Sequence, residues 1–342
     1  MLKSQGYATA LAGKWQLMGR IPMLIIDCGF DEYRIWAWKK NLPPGIEHTG
    51  AWQTPSKPER YWHPSIMQNG EYIPTRPDDY GPDLFTKFVI DFMRHNHDKP
   101  FFIYYPMVLS HGPFYSTPDT TRSAEDRLKS NKTNIKAYIE YLDKLIGLVV
   151  RAVDDLGLRE NTIIFFTADN GTAGEGKRTV TELGVRVPMI VRCPGTVKAG
   201  FVSDELVSLA DILPTLGEFA DASSPEGYPI DGQSIALTLR NPSITHREWL
   251  YSYLNDKRLL RDKRWLLDGN GRFFDCGNNR NGDGYRDVTD SEDSEVEAAR
   301  KRFRKILTTL PGPDSLAGEL MSPRAVKTET EVRSNKKVVK KQ

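Results

Sequence analysis

Short β-rich apolar runs alternate with amphipathic helical patterns from residue 1 to about 240, an order that few architectures accommodate. Residues 162–167 (TIIFFT) carry the strongest strand signal, and residues 100–106 (PFFIYYP) read as a buried strand ended by proline. Residues 8–12 and 187–192 predict two more strands. Residues 83–95 carry an apolar stripe at Leu84, Phe85, Phe88, Val89 and Phe92, which is helical spacing. Residues 134–156 predict a longer helix with Ile135, Tyr138, Ile139, Leu142, Leu145, Ile146, Val149 and Val153 on one face. A further helix is expected over 204–219, and residues 2–7 read as a last helical turn closed by Gly6. The pattern is that of an α/β sandwich.

The texture changes after Asn241. Short antiparallel strands are expected at 249–254, 259–261, 264–267 and 272–276, followed by a helix at 294–310. The expected organisation is an α/β domain over 1–240, a small α+β domain over 241–312 and a disordered tail over 313–342. The stretch 39–82, dense in Pro, Trp and Tyr, reads as a long ordered loop. The 39% apolar content excludes a wholly disordered chain. No apolar stretch approaches the length of a membrane span. The first fifteen residues lack the basic-then-apolar order of a secretory signal. Cys28, Cys193 and Cys276 are too far apart for a CxxC site and odd in number for a disulfide framework. The net charge of +2 is a tail effect, because residues 323–342 hold seven Lys/Arg against two Glu and leave −3 elsewhere. A basic solvated terminus is expected there, and no nucleic-acid partner.

Four segments carry residues suited to chemistry. Residues 167–171 (TADNG) follow the strongest strand, and Asp169 and Asn170 offer hard oxygen ligands suited to Ca²⁺ or Mg²⁺. The same five residues also suit an Asx-turn with a tight glycine. Lys14, at the end of the first strand, could neutralise an anionic substrate or simply be an exposed strand-end lysine. His111, in SHGPF, is a loop histidine able to donate a proton or bind a ligand. Residues 176–188 (GKRTVTELGVRVP) place Lys177 and Arg178 ahead of a strand, with a Glu182–Arg186 ion pair as the plain alternative. A fifth segment, 279–290 (NRNGDGYRDVTD), has the oxygen-donor spacing of an EF-hand loop, but it ends on Asp290 and follows a strand-like FFDC. It is expected to be a polar loop.

In order and spacing, the first four segments resemble the sulfatases of the alkaline phosphatase superfamily. GYATALAGKWQL resembles G-Y-x-T-x-x-x-G-K-W-H-L, SHGPF resembles H-x-P-F, and FFTADNG resembles the family's metal-binding strand end. KRTVTELGVRVPMIVRCPG and the later LADILPTL resemble the segments that follow. The resemblance runs from Leu2 to about Leu310. It implies a mixed sheet sandwiched by helices, with a smaller C-terminal α+β domain. It implies hydrolysis of a small-molecule or carbohydrate sulfate monoester, assisted by Ca²⁺ or alternatively Mg²⁺. Asp169 and Asn170 would ligate the cation, Lys14 and Lys177 would hold sulfate oxygens, and His111 would bind the ester and protonate the leaving group. Export to the periplasm or cell exterior is common in the family.

The chain departs from the family pattern in three places. The family nucleophile, a Cys or Ser converted to formylglycine, sits in C/S-x-P-S-R ahead of G-K-W. No cysteine here fits it, and residues 56–60 (SKPER) fit loosely but lie after G-K-W. The family's acidic metal pair is also unmatched, which reads as an N-terminally truncated member. Gln16 replaces a histidine and cannot shuttle a proton near neutral pH. The chain as it stands is therefore expected not to turn over sulfate esters. Two other readings are a non-catalytic anion-binding remnant and a phosphodiesterase or phosphonate hydrolase on the same fold.

Overall fold

Ala10, Leu11 and Ala12 in β1 (Ala8–Gly13) are all fully buried, as a strand covered on both faces requires. The computed structural model describes residues 1–15, 23–37, 60–172, 174–223, 227 and 229–310. Gln16, residues 39–59 and the expected tail at 313–342 lie outside the described residues. The chain divides into two compact units, each discontinuous in sequence. The first comprises Met1–Thr162, Cys193–Gly195 and Leu216–Pro229, and the second the remainder.

The first unit holds α1 (Met23–Asp27), β2 (Glu32–Trp36), β3 (Ile66–Gln68), β4 (Glu71–Ile73), α2 (Gly81–His95), β5 (Phe101–Tyr104) and α3 (Ile135–Asp155). Its sheet has the order β4-β3-β2-β1-β5. β1 pairs in parallel with β2 and β5, whereas β2–β3 and β3–β4 are antiparallel. The sheet is thus mixed. Leu11, Trp15, Ile25, Tyr33, Ile35, Ala37 and Met67 form one buried cluster. Each large apolar side chain there contributes about 1.5–3 kcal/mol by burial.

Two strands that the aromatic composition concealed lie in the stretch read as loop. β3 and β4 turn at Asn69-Gly70, both at positive φ (50° and 91°). Asn-Gly is a strong hairpin signal because its two residues accept the left-handed backbone a two-residue turn demands. On α3 the buried positions are Tyr138, Tyr141, Leu145, Ala152 and Val153. Ile135 and Ile139 face outward instead, at 39% and 53% exposure. The stripe is rotated toward Tyr141 because that hydroxyl donates to both oxygens of the Asp83 carboxylate, at 2.8 and 3.0 Å.

The second unit contains β6 (Ile164–Thr167), α4 (Glu182–Val185), β7 (Met189–Arg192) and the start of α5 (Ile212–Phe219). It continues with α6 (Ala236–Arg240), β8 (Leu250–Leu254), β9 (Lys257–Arg261), β10 (Trp265–Leu267), β11 (Phe273–Asp275), β12 (Arg286–Asp287) and α7 (Ser294–Thr309). β6 and β7 form an antiparallel pair, and β8 to β12 form an antiparallel sheet in chain order. Phe303 of α7 packs edge-on against Phe273, with Leu260, Trp265, Val288, Val296 and Ala299 around them. The helix expected over 204–219 starts later. Ser208 and Asp211 make a reciprocal capping box, so residues ahead of Ser208 are irregular and helical structure opens at Leu209.

Candidate active site

Lys14 follows the carboxyl end of β1, and its backbone N–H donates to the Pro106 carbonyl at 2.9 Å. That bond needs close approach. Gly13 sits at φ +107°, and a Cβ there would stand 2.4 Å from the Pro106 oxygen. His111 lies on the loop after β5, so Lys14 and His111 both occupy the carboxyl end of one parallel strand pair. Ligands in α/β sheets bind at that end.

The His111 side chain is exposed, and its backbone is not loose. Its N–H closes a turn on the Val108 carbonyl at 3.4 Å. The buried Tyr61 hydroxyl donates to that same carbonyl and to the His111 carbonyl. His111 Nδ1 faces the Gly112 carbonyl at 2.5 Å and the Arg60 guanidinium at 3.3 Å. Arg60 closes the SKPER segment, which fits the nucleophile motif only loosely. Nothing in its spacing predicts a place beside His111. Its guanidinium lies 5.6 Å from the Trp36 ring centroid, and its carbonyl accepts from Trp36 Nε1 at 2.8 Å.

In the second unit, Asp169 and Asn170 follow the carboxyl end of β6, with Asp169 exposed and Asn170 half-buried. The Gly171 N–H donates to the Gly184 carbonyl at 3.0 Å, and a Cβ at Gly171 would lie 1.7 Å from the Leu183 oxygen. The Thr172 carbonyl accepts from both Gly176 and Lys177, each at 2.9 Å. Lys177 thus sits on a turn closed on the Thr172 carbonyl, and the Gly171 bond anchors the chain just after Asn170 to α4. The ion pair read between Glu182 and Arg186 is long, 3.8 Å. Glu182 is better served by the Tyr285 hydroxyl at 2.9 Å, and burial first, then the carboxylate's charge, raises that phenol's pKa to about 12.

Arg186 donates instead to the carbonyls of Arg280 and Asn281. A fixed cation therefore occupies acceptors of the 279–290 loop, and Asn279 folds back on the Asp283 carbonyl at 2.8 Å. That arrangement suits a polar loop. Asp169 and Asn170 fit a hard cation in kind, being one carboxylate and one carboxamide. They do not fit it in number, because Ca²⁺ takes about 6–8 oxygens and no group of three His, Cys, Asp or Glu gathers among the described residues. Cys28, Cys193 and Cys276 are all free thiols. Among the described residues, no helix is long and apolar enough to cross a membrane.

The sulfatase family model matches residues 1–222. The chain is 28% identical to the N-acetylgalactosamine-6-sulfatase of Rattus norvegicus over 73% of its own length and 49% of that protein. It is 25% identical to arylsulfatase G of Rattus norvegicus over 81% of its length and 61% of that protein. The chain thus spans about half the length of the curated relatives it first matches. The fold is shared with Ps i-CgsB, solved in complex with k-i-k-neocarrahexaose, at a TM-score of 0.67 and 20% identity over 89% of this chain and 72% of that one. It is also shared with a protein solved with its substrate D-glucosamine-2-N,6-O-disulfate, at a TM-score of 0.62 and 18% identity over 90% and 80% of the two chains. The expected mixed α/β fold with a C-terminal antiparallel sheet is borne out. The four motifs and the match over residues 1–222 lead to one assignment: the chain belongs to the sulfatase family.

Proposed function

We propose that this chain recognises the sulfate group of a sulfated carbohydrate or aryl ester, with Lys14 and Lys177 as cationic partners of the sulfate oxygens and His111 as donor to the bridging oxygen. The observation that carries the reading is the sulfatase match across residues 1–222, which spans all of these residues. Lys14 and His111 at one end of a parallel strand pair support it, as does the turn that closes Lys177 on Thr172. Sulfate ester cleavage builds negative charge on the leaving oxygen, so cations and a proton donor aimed there lower the barrier. Asp169 and Asn170 offer two of the oxygens a Ca²⁺ or Mg²⁺ ion needs, too few to hold it alone, so no step of this reading runs through a metal.

No cysteine fits the family nucleophile motif and residues 56–60 fit it only loosely, so the reading for this chain is binding of sulfate esters without cleavage. Structural neighbours solved with a neocarrahexaose and a glucosamine disulfate favour a sugar sulfate over other esters. Calorimetry with a glucosamine 6-sulfate, a phosphate diester and a phosphonate monoester tests the reading. Saturable binding of the sulfate alone is expected. Preference for the phosphate diester or the phosphonate would move the chain to the phosphodiesterase or phosphonate hydrolase reading.

A further inference from the structure

We propose that Tyr61 and Tyr138 are positioning residues for His111. The proposal rests on the role given to His111 above. The loop over 107–116 has no regular secondary structure and carries His111 exposed at its tip. A side chain on such a loop is useful only when the backbone beneath it is held. Two phenols reach that backbone from below, and both are 0% exposed.

Tyr61 lies ahead of β3 in the chain, and its own carbonyl accepts from the Gly81 N–H at the start of α2, at 2.6 Å. Its hydroxyl stands between the Val108 carbonyl, at 3.2 Å, and the His111 carbonyl. One proton serves one carbonyl at a time, so the hydroxyl bridges the two ends of the turn that ends on His111. Tyr138 comes from α3. Its hydroxyl accepts from the Tyr115 N–H at 2.9 Å and donates to the Pro113 carbonyl at 3.3 Å. Its ring also packs edge-on against Phe114 and Tyr61, at 5.4 and 5.0 Å. The two phenols therefore grip the loop on both sides of His111, at residues 108 and 111 and again at 113 and 115. Burial raises both pKa values, so each remains a neutral donor throughout the working pH range.

Tyr141, which packs against Tyr80 of the same aromatic cluster, bonds elsewhere and donates to Asp83. Tyr141→Phe thus removes a comparable partly buried hydroxyl without touching the His111 loop, and serves as the control.

The test uses the full chain with ¹³C,¹⁵N-labelled histidine and inorganic sulfate as the probe. Thermal unfolding first verifies that Tyr61→Phe, Tyr138→Phe and Tyr141→Phe are folded. The expected result is a displaced His111 imidazole resonance in Tyr61→Phe and Tyr138→Phe, with sulfate affinity weakened about fivefold, the effect of one lost hydrogen bond. Tyr141→Phe should leave both unchanged. An unmoved His111 resonance in both loop-contacting variants would overturn the proposal, as would an equal displacement in Tyr141→Phe. If the unsubstituted protein's His111 ignores sulfate, the sulfate reading fails. The positioning role is then still decided by the sulfate-free resonances.

Discussion

Gly13→Ala separates the two ways in which a glycine can be required. A Cβ at position 13 would lie 2.4 Å from the Pro106 oxygen and 3.2 Å from its carbonyl carbon. Ordinary C···O contacts begin near about 3.3 Å, so one partner must move by roughly 0.9 Å. Shifting the end of β5 breaks the 2.9 Å bond from the Lys14 N–H, at about 1 kcal/mol. Holding alanine at φ +107° adds about 1–3 kcal/mol of backbone strain. The expected cost is about 2–4 kcal/mol. Gly157, at the end of α3, has φ +72°, but a Cβ there would meet nothing within 4 Å. Gly157→Ala therefore carries only the left-handed penalty, about 1–2 kcal/mol. Urea denaturation followed by tryptophan fluorescence measures both, with Trp15 at 7% exposure as a nearby reporter. If Gly13→Ala costs no more than Gly157→Ala, close approach to Pro106 is not what demands glycine. The account of how Lys14 is placed would then fail.

Phe303→Ala should destabilise the unit carrying the C-terminal sheet by about 3–5 kcal/mol, because the ring is 1% exposed and packed against Phe273; a urea midpoint within error of the unsubstituted protein would contradict this. Asp275 is held below the usual carboxylate range, first by hydrogen bonds from Arg264, and the Gly277 N–H and Arg286 add to that. A depressed carboxyl contributes stability that is present above its unfolded pKa near about 4 and lost as pH falls through the folded value. Asp275→Asn should therefore flatten the acid limb of the stability curve while the curve of the unsubstituted protein still falls, and parallel curves would refute it. Calcium titration of the full chain should give a dissociation constant no tighter than about 10⁻⁴ M, since Asp169 and Asn170 gather no third acidic, histidine or cysteine partner among the described residues. Submicromolar binding would show a donor set beyond these two.

The strands and long helices are readable because their signals are local. FFIY at β5, IFFT at β6 and the stripe of α2 each announce themselves within a few residues. β3 and β4 are obscured because proline and tryptophan flank a hairpin whose one clear mark is Asn69-Gly70. The face of α3 departs from the expected stripe at Ile135 and Ile139 because a period of 3.6 fits several rotations. A partly buried tyrosine–aspartate bond at Tyr141 decides between them. Lys14, His111, Asp169, Asn170 and Lys177 can be named as candidates because each sits in a contiguous motif. Arg60, Tyr61 and Tyr138 cannot, because they meet the His111 loop across sequence separations of 51, 47 and 23 residues. Such pairings are properties of the fold alone.

The central claim is tested most directly by titrating the 342-residue chain with 4-nitrophenyl sulfate in the presence of Ca²⁺, following heat and released 4-nitrophenol together. The account predicts saturable binding that Lys14→Ala and Lys177→Ala each weaken about tenfold or more, consistent with losing a charge-assisted bond, and no release of product. Binding indifferent to both substitutions, or steady turnover by the unsubstituted chain, would contradict it.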